Sequence, residues 1–265
     1  MDDIPKSIKR PKPLVLWVLH ILLTQTENKK TAIVTGGGRG IGRETAITLA
    51  KLGVNVVVCS RTENDINSVV NEVKKIGDQA DVLGVKCDVS IASQVISAVN
   101  LAVDKFGWET IDVLVNNAGV AFNKKLIETS EQEWDQTINT NLKGAYLFTK
   151  AVLPFMIKMR SGTIVNVNSG AGRTGFSNLS SYCASKFGLF GLTESVALEV
   201  NAYNLRVMTI LLGQVATQMW QQFDSSYFEK NKKRMLDPHN VAGKIAEMIF
   251  DTKRYKNGDS VEMYN

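Results

Sequence analysis

The sequence predicts a single doubly wound α/β domain, a parallel seven-stranded sheet with helices on both faces. Two observations carry this. From Lys30 onward, a short apolar run, a turn and an amphipathic stretch follow one another repeatedly. The apolar runs are continuous rather than alternating, the pattern of strands buried on both faces. A glycine-rich turn after the first run adds a third observation, because sheets of this kind bind ligands at the carboxyl ends of their strands.

In order, "TAIVTG" reads as a short buried strand and "IGRETAITLAKLG" as a helix that stops at Gly53. "NVVVCS" is the second strand and "ENDINSVVNEVKKIG" the second helix, again closed by a glycine. "DVLGVKCDVS", "SQVISAVNLAVDKFG" and "IDVLVNNAG" continue the alternation. A long helical stretch runs from Ser130 to Met159. "GTIVNVNSG", a helix containing "YCASK", "LRVMTILLG", a helix near 238–251 and the strand "DSVEMYN" complete seven strands and six helices. The one irregular insert, 214–237, follows the sixth strand where a ligand would sit. Residues 29–265 are therefore one domain, and 1–28 an extension.

The chain has 265 residues, 44% of them hydrophobic, enough for a sizeable core. Of its net charge of +5, +3 lies in residues 1–30, so the body is close to neutral. A nucleic-acid partner needs a clustered basic face, and none is seen. Cys59, Cys87 and Cys183 form no CxxC or Cys/His spacing, and there are two histidines, so no metal site is expected. Free, mostly buried thiols fit a reducing compartment, and a cytoplasmic location is the expectation. In the extension, Lys6, Lys9, Arg10 and Lys12 precede an apolar run, Leu14 to Leu23. That run is shorter than the roughly 20 residues needed to span a bilayer. Three readings stay open: a helix lying on a membrane, a helix docked on its own domain or a neighbouring subunit, or an extension from upstream of the true start.

"TGGGRGIG" spans Thr35 to Gly42. Glycines at 36, 40 and 42 let the backbone turn tightly, and the following helix presents unpaired N–H groups to a pyrophosphate. Gly36, Arg39, Gly40, Ile41 and Gly42 are thus the candidate phosphate contacts of a Rossmann-type nucleotide site. An acid at the end of the second strand would bind the ribose of NAD. Ser60 and Arg61 stand there instead, and with Arg39 they favour the 2′-phosphate of NADP(H).

Tyr182 and Lys186 are four apart in a helix and share a face. An ammonium beside a phenol favours its ionised form, so the pair is a candidate general acid/base with its tuner, or else a surface accident. Its companions weigh against accident: Ser169 ends the fifth strand, "VNNAG" the fourth, "NTNLKG" lies in the long helix and "GQVAT" follows the sixth strand. In this combination the sequence resembles the short-chain dehydrogenase/reductase family, from about Lys29 to the C-terminus.

The resemblance implies roles. Tyr182 would be the general acid/base, and Lys186 would lower its pKa and hold the nicotinamide ribose. Ser169 would hydrogen-bond the substrate oxygen, and Asn141 would hold a water linking Lys186 to solvent. Asp88 would contact adenine, and Asn116, Ala118 and Gly119 would support the sheet and the adenosine ribose. Val215 and Thr217 would orient the carboxamide, and Arg39 and Arg61 match the basic pair of NADP-preferring members. Three departures stand out: Leu212-Gly213 replaces Pro-Gly, Asn168 replaces a frequent second serine, and the glycine-rich tail of bacterial 3-oxoacyl carrier-protein reductases is missing.

The leading expectation is an NADPH-dependent oxidoreductase that transfers a hydride between the nicotinamide and a carbonyl or the matching secondary alcohol, with a 3-oxoacyl thioester as the foremost substrate class. The alternatives are a membrane-associated reductase of a lipidic ketone or alcohol, and a retired NADP-sensing protein. Met219, Trp220, Phe223, Tyr227 and Phe228 suggest an apolar pocket cover, or equally lid-to-core packing. Ala145, Phe148, Phe187, Leu189, Phe190 and Leu192 exceed one core-facing stripe, so a homotetramer, or failing that a dimer, is expected.

Overall fold

A computed structural model describes residues 29–77, 79–107 and 111–264. The extension with its apolar run therefore lies outside the described residues. Seven strands form one sheet: β1 (Thr31–Thr35), β2 (Asn55–Ser60), β3 (Val82–Lys86), β4 (Ile111–Asn116), β5 (Gly162–Ser169), β6 (Leu205–Leu212) and β7 (Ser260–Met263). Their order is β3-β2-β1-β4-β5-β6-β7, and every pairing is parallel.

The continuous apolar runs sit in the middle of the sheet. All five residues of β1 are buried, whereas only Val82 and Val85 of the edge strand β3 are. The pleat sends successive side chains to opposite faces. Ala32, Val34, Val56 and Val58 face one layer, while Ile33, Val57 and Cys59 face the other. The first layer holds α1 (Gly40–Lys51), α2 (Glu63–Lys74) and α9 (Pro238–Phe250), through residues such as Leu49, Val69 and Ile245. The second holds α3 (Ala92–Phe106), α5 (Gly144–Met159) and α6 (Ser180–Val200), through Val99, Phe148 and Val196.

The long helix predicted from Ser130 is α4 (Glu131–Ile138) running into α5 through a π-helical turn, Asn139–Lys143. Ser130 caps its start: the hydroxyl accepts from Glu133 N–H, and the Glu133 carboxylate accepts from Ser130 N–H. The 214–237 insert is more ordered than its sequence suggests. It contains α7 (Gln218–Phe223) and α8 (Ser225–Asn231), the latter capped by Asp224, whose carboxylate accepts from Tyr227 N–H. Both helices are too short for a periodic pattern to mark. A short parallel bridge between Val215 and Leu236 ties the two ends of this lobe together.

Of the six apolar residues expected to exceed one core stripe, Ala145, Phe148 and Leu189 are buried in the chain's own core, because α5 and α6 are covered on more than one side. Phe187 remains 45% exposed, as does Tyr146 at 42%. All three cysteines are free and buried. No helix among the described residues is long and apolar enough to cross a membrane.

Candidate active site

The chain winds one way from β1 to β3 and then crosses back to β4 on the other side of β1. The crevice at that switch point, outside the carboxyl ends of the strands, is where a doubly wound sheet takes a ligand. A cleft of about 630 Å³ opens there. It is lined by Gly36, Arg39, Gly40, Ile41, Ser60, Arg61, Asp88, Ala118, Gly119, Ser169, Tyr182, Lys186, Val215 and Thr217. Residues separated by up to 181 positions in sequence thus meet in one space.

At one end, the backbone at Gly36 and Gly40 adopts positive φ (61° and 54°). A Cβ on Gly36 would lie 2.9 Å from Ala118 Cα, so the turn and the β4 exit pack backbone to backbone. Gly42 lies behind the cleft rather than on it. A Cβ there would lie 2.3 Å from the Gly36 carbonyl oxygen, so its smallness keeps the turn closed against α1. The first turn of α1 contains no acidic residue, and its N-cap, Arg39, makes no side-chain capping bond. That is a donor set suited to an anion.

Arg61 is exposed at the end of β2, and Arg39 donates to Gln218 Oε1 at 2.8 Å. Asp65, passed over in the sequence, also lines this end. Burial works against the Asp88 carboxylate, yet hydrogen bonds from Ser90 and the Arg61 charge hold it below the usual range.

Asn116 does not reach the cleft. Its amide donates to Asn166 Oδ1 (2.9 Å) and Thr149 Oγ1 (3.2 Å) inside the second layer. Its neighbour Asn117, which the sequence reading missed, is the residue that meets the glycine turn. Asn117 Nδ2 donates to the Thr35 and Gly36 carbonyls at 2.9 and 3.2 Å. The doubled Asn was the available signal, and strand parity decides which of the two faces the turn.

At the other end, the buried residues of α6 include the polar Ser185, Lys186 and Thr193, besides Ser181 in its first turn. A buried polar side chain needs a partner. Ser185 Oγ donates to Tyr182 O (2.7 Å), Lys186 Nζ to Val167 O (2.8 Å) and Thr193 Oγ1 to Leu189 O (2.7 Å). Tyr182 opens onto the cleft one turn before Lys186, whose Nζ lies 5.7 Å from the ring centroid. Ser169, at the tip of β5, is hydrogen-bonded to the phenol.

The expected lowering of the phenol pKa is not found in the protein itself. Burial pushes Tyr182 up to about 12, against the Ser169 hydrogen bond that favours the phenolate. Burial also pushes Lys186 down to about 8. Desolvation outweighs the Ser169 hydrogen bond at Tyr182, and it is the one cause at Lys186. Tyr182 is therefore a neutral proton donor at physiological pH.

Asn141, the residue expected to hold a water for Lys186, packs beside α6. It sits in the π turn, a feature often found at functional sites. Nδ2 donates to Val120 O (2.9 Å) and Ser185 Oγ (3.0 Å), and Oδ1 accepts from Val120 N–H (2.8 Å). The amide fastens the long helix to the β4 exit and to α6, with one acceptor site of Oδ1 spent on Val120 N–H.

Leu212 stands where a proline was expected and is an ordinary strand residue, paired with Ser169 on one side and Met263 on the other. Pairing supplies the rigidity that a fixed φ would otherwise give. Of the five lobe residues singled out, Met219, Trp220 and Phe223 line the cleft. Tyr227 stands behind Trp220 at 6.1 Å between centroids and bonds Gln214, and Phe228 lies off the cleft beneath Lys232. Phe122, Phe176 and Tyr264 complete an apolar wall that the sequence did not mark.

The family described as short chain dehydrogenase matches residues 30–227. The chain is 33% identical over 240 residues to the 3-oxoacyl-[acyl-carrier-protein] reductase FabG of Staphylococcus aureus (strain Mu50), covering 88% of this chain and 96% of that one. It is 35% identical over 225 residues to the 3-oxoacyl-[acyl-carrier-protein] reductase of Synechocystis sp., covering 84% and 90%. Among solved structures, levodione reductase superposes with a TM-score of 0.83 at 29% identity, over 90% of this chain and 97% of that one. On fold, cleft and sequence together, this chain belongs to the short-chain dehydrogenase/reductase family of oxidoreductases.

Proposed function

We propose that the protein is an NADPH-dependent carbonyl reductase whose substrates are 3-oxoacyl thioesters. The observation that carries this is the neutral Tyr182 phenol, hydrogen-bonded to Ser169 and one helical turn from Lys186, in a cleft that also holds the glycine turn. The bound nucleotide would supply the hydride. Gly36, Arg39, Gly40 and Ile41 would hold its phosphates, and Arg39 with Ser60 and Arg61 its 2′-phosphate. Asp88 would meet the adenine, Ala118 and Gly119 the adjoining ribose, and Val215 and Thr217 the carboxamide. Gly42 and Asn116 act from behind, by shaping that seat.

Tyr182 gives its proton to the carbonyl oxygen as that oxygen gains negative charge. With substrate bound, the Ser169 hydroxyl turns from the phenol and donates its one hydrogen bond to the same atom. The phenolate left on Tyr182 is stabilised by the Lys186 ammonium, whose depressed pKa makes it a ready source of the returning proton. The substrate class rests on the relatives' names and on the apolar wall of Phe122, Phe176, Met219, Trp220 and Phe223, which suits an acyl chain. The half-exposed aromatics Tyr146 and Phe187, on α5 and α6, support a homo-oligomer, and elution volume in size-exclusion chromatography reads its order.

NADPH oxidation with acetoacetyl thioester, a short aldehyde, a cyclic diketone and a sugar ketone, each beside NADH, tests the reading. Preference for the thioester with NADPH is the expected result. Equal rates with NADH would remove the 2′-phosphate role from Arg39 and Arg61. Turnover confined to the diketone would remove the thioester.

A further inference from the structure

Asn168 occupies the position before Ser169 in β5 and is 3% exposed. Its amide spends both ends on the reaction centre. Oδ1 accepts from Ser169 N–H at 2.8 Å, and Nδ2 donates to the Lys186 carbonyl at 3.1 Å. Lys186 is thereby gripped twice by consecutive residues of one strand, at its backbone by Asn168 and at its Nζ by Val167 O. The room for this is specially kept. A Cβ on Gly172 would come within 2.7 Å of Asn168 Oδ1 and 2.9 Å of the Lys186 carbonyl, so only glycine lets the loop pass over the amide. The bond to the Lys186 carbonyl is buried, where neither partner has water as a substitute, and the bond from Ser169 N–H is partly buried.

We infer that Asn168 is a positioning residue: a single side chain that fixes the substrate-binding hydroxyl of Ser169 relative to the helical turn carrying Tyr182 and Lys186. This rests on the reductase reading for its purpose, but the clamp is a property of the chain itself. Ser169 lies on a strand and Tyr182 on a helix; the Asn166–Thr193 and Lys186–Val167 bonds also join the two elements, but of the three only the Asn168 amide bonds to the Ser169 backbone itself. The two proton donors must converge on one substrate oxygen, and displacement of about 1 Å at such a site costs up to about a hundredfold in rate. The asparagine carries a donor and an acceptor on one planar group, which a hydroxyl of shorter reach does not span.

The test compares Asn168→Ala and Asn168→Ser with the wild-type protein. The first readout needs no turnover: competitive acetylation of Lys186 against pH, followed by mass spectrometry of the peptide. In the wild type, the midpoint is expected near 8, the value set by burial. In both variants the released lysine moves toward solvent, and the midpoint rises toward the ordinary lysine value of 10.5. The second readout is steady-state: kcat falls about thirtyfold and the KM for NADPH rises by much less, because the phosphate contacts of the glycine turn are untouched. The basic limb of the kcat profile also moves to higher pH, as the ammonium no longer sits beside the Tyr182 phenolate.

A lower melting temperature with an unchanged Lys186 titration and an unchanged kcat profile would reduce Asn168 to core packing and overturn the inference. If the alanine variant does not fold, the serine variant reads the same two quantities. If the wild type turns over no carbonyl, the proposed function falls, and the acetylation midpoints still decide the clamp.

Discussion

The two walls of the cleft are built in different ways. The floor, made by the ends of β1, β4 and β5 with α1 and α6, is fixed by backbone packing and buried hydrogen bonds. Gly36 and Gly42 admit no Cβ, Lys186 is gripped at both ends, and Asn117 and Thr35 tie two strand exits together. The roof, α7 and α8, has no buried residue in either helix. It is held by the Val215–Leu236 bridge at its base, by the Trp220 contacts with Phe223 and Tyr227, and by the exposed Arg39–Gln218 bond. In the proposed reaction the floor would carry the proton transfer, which tolerates little movement. The roof only encloses a substrate, and segments that open or adapt are drawn from the weakly packed part of a fold.

The largest effect that would break this contrast is on the floor. Tyr182→Phe removes the proton donor and keeps the ring, so kcat should fall about a thousandfold, roughly 4 kcal/mol of barrier, with NADPH binding retained. Stopped-flow measurement of both quantities checks it, and surviving turnover would take the chemistry away from this residue.

Next comes Lys186, where the cost of a dry floor can be read as stability. Its folded pKa of about 8 lies below the ordinary 10.5, so the folded state binds fewer protons between those values. Stability therefore rises with pH through that window, by about 3 kcal/mol in all, and the contribution is lost as pH falls through about 8. Tyr182 acts in the opposite sense: raised from 10 to about 12, it makes stability fall as pH climbs through that range. Lys186→Met should abolish the rise between pH 8 and 10. Denaturant unfolding of both proteins across that interval measures it, and parallel curves would mean that the lysine is not desolvated.

Gly42→Ala is smaller. The added methyl group meets the Gly36 carbonyl, and the turn must open, costing about 2–3 kcal/mol of stability and most of the nucleotide affinity. Thermal melts with and without NADPH read both, and an unchanged nucleotide shift would mean that the cradle yields more easily than its packing implies.

The smallest effect should come from the roof. Trp220→Ala should raise the substrate KM about fivefold while changing stability by less than about 0.5 kcal/mol. A stability loss above about 2 kcal/mol would place the lobe in the core and erase the contrast between the two walls.

How far each wall could be read in advance follows from the same difference. The floor was legible because its chemistry constrains residue type at fixed chain spacing. Tyr182 and Lys186 must be one helical turn apart, and the phosphate turn must be glycine. The roof's two helices escaped notice because six or seven residues hold too little of a helical period, and their apolar side chains serve packing as readily as binding.

By itself, the sequence determined the order of elements and the parallel sheet and marked the candidate acid/base pair, since these follow from local period and spacing. Only the tertiary structure decided which partner each polar group took. It turned Asn116 inward and Asn117 toward the turn, and it bonded the Asn141 side chain to Val120 and Ser185. It set Tyr182 high and Lys186 low, and it joined Ser169 to Lys186 through Asn168. Those outcomes depend on burial and on contacts between residues far apart in the chain, where desolvation makes every hydrogen bond compulsory and no local pattern records which one is made.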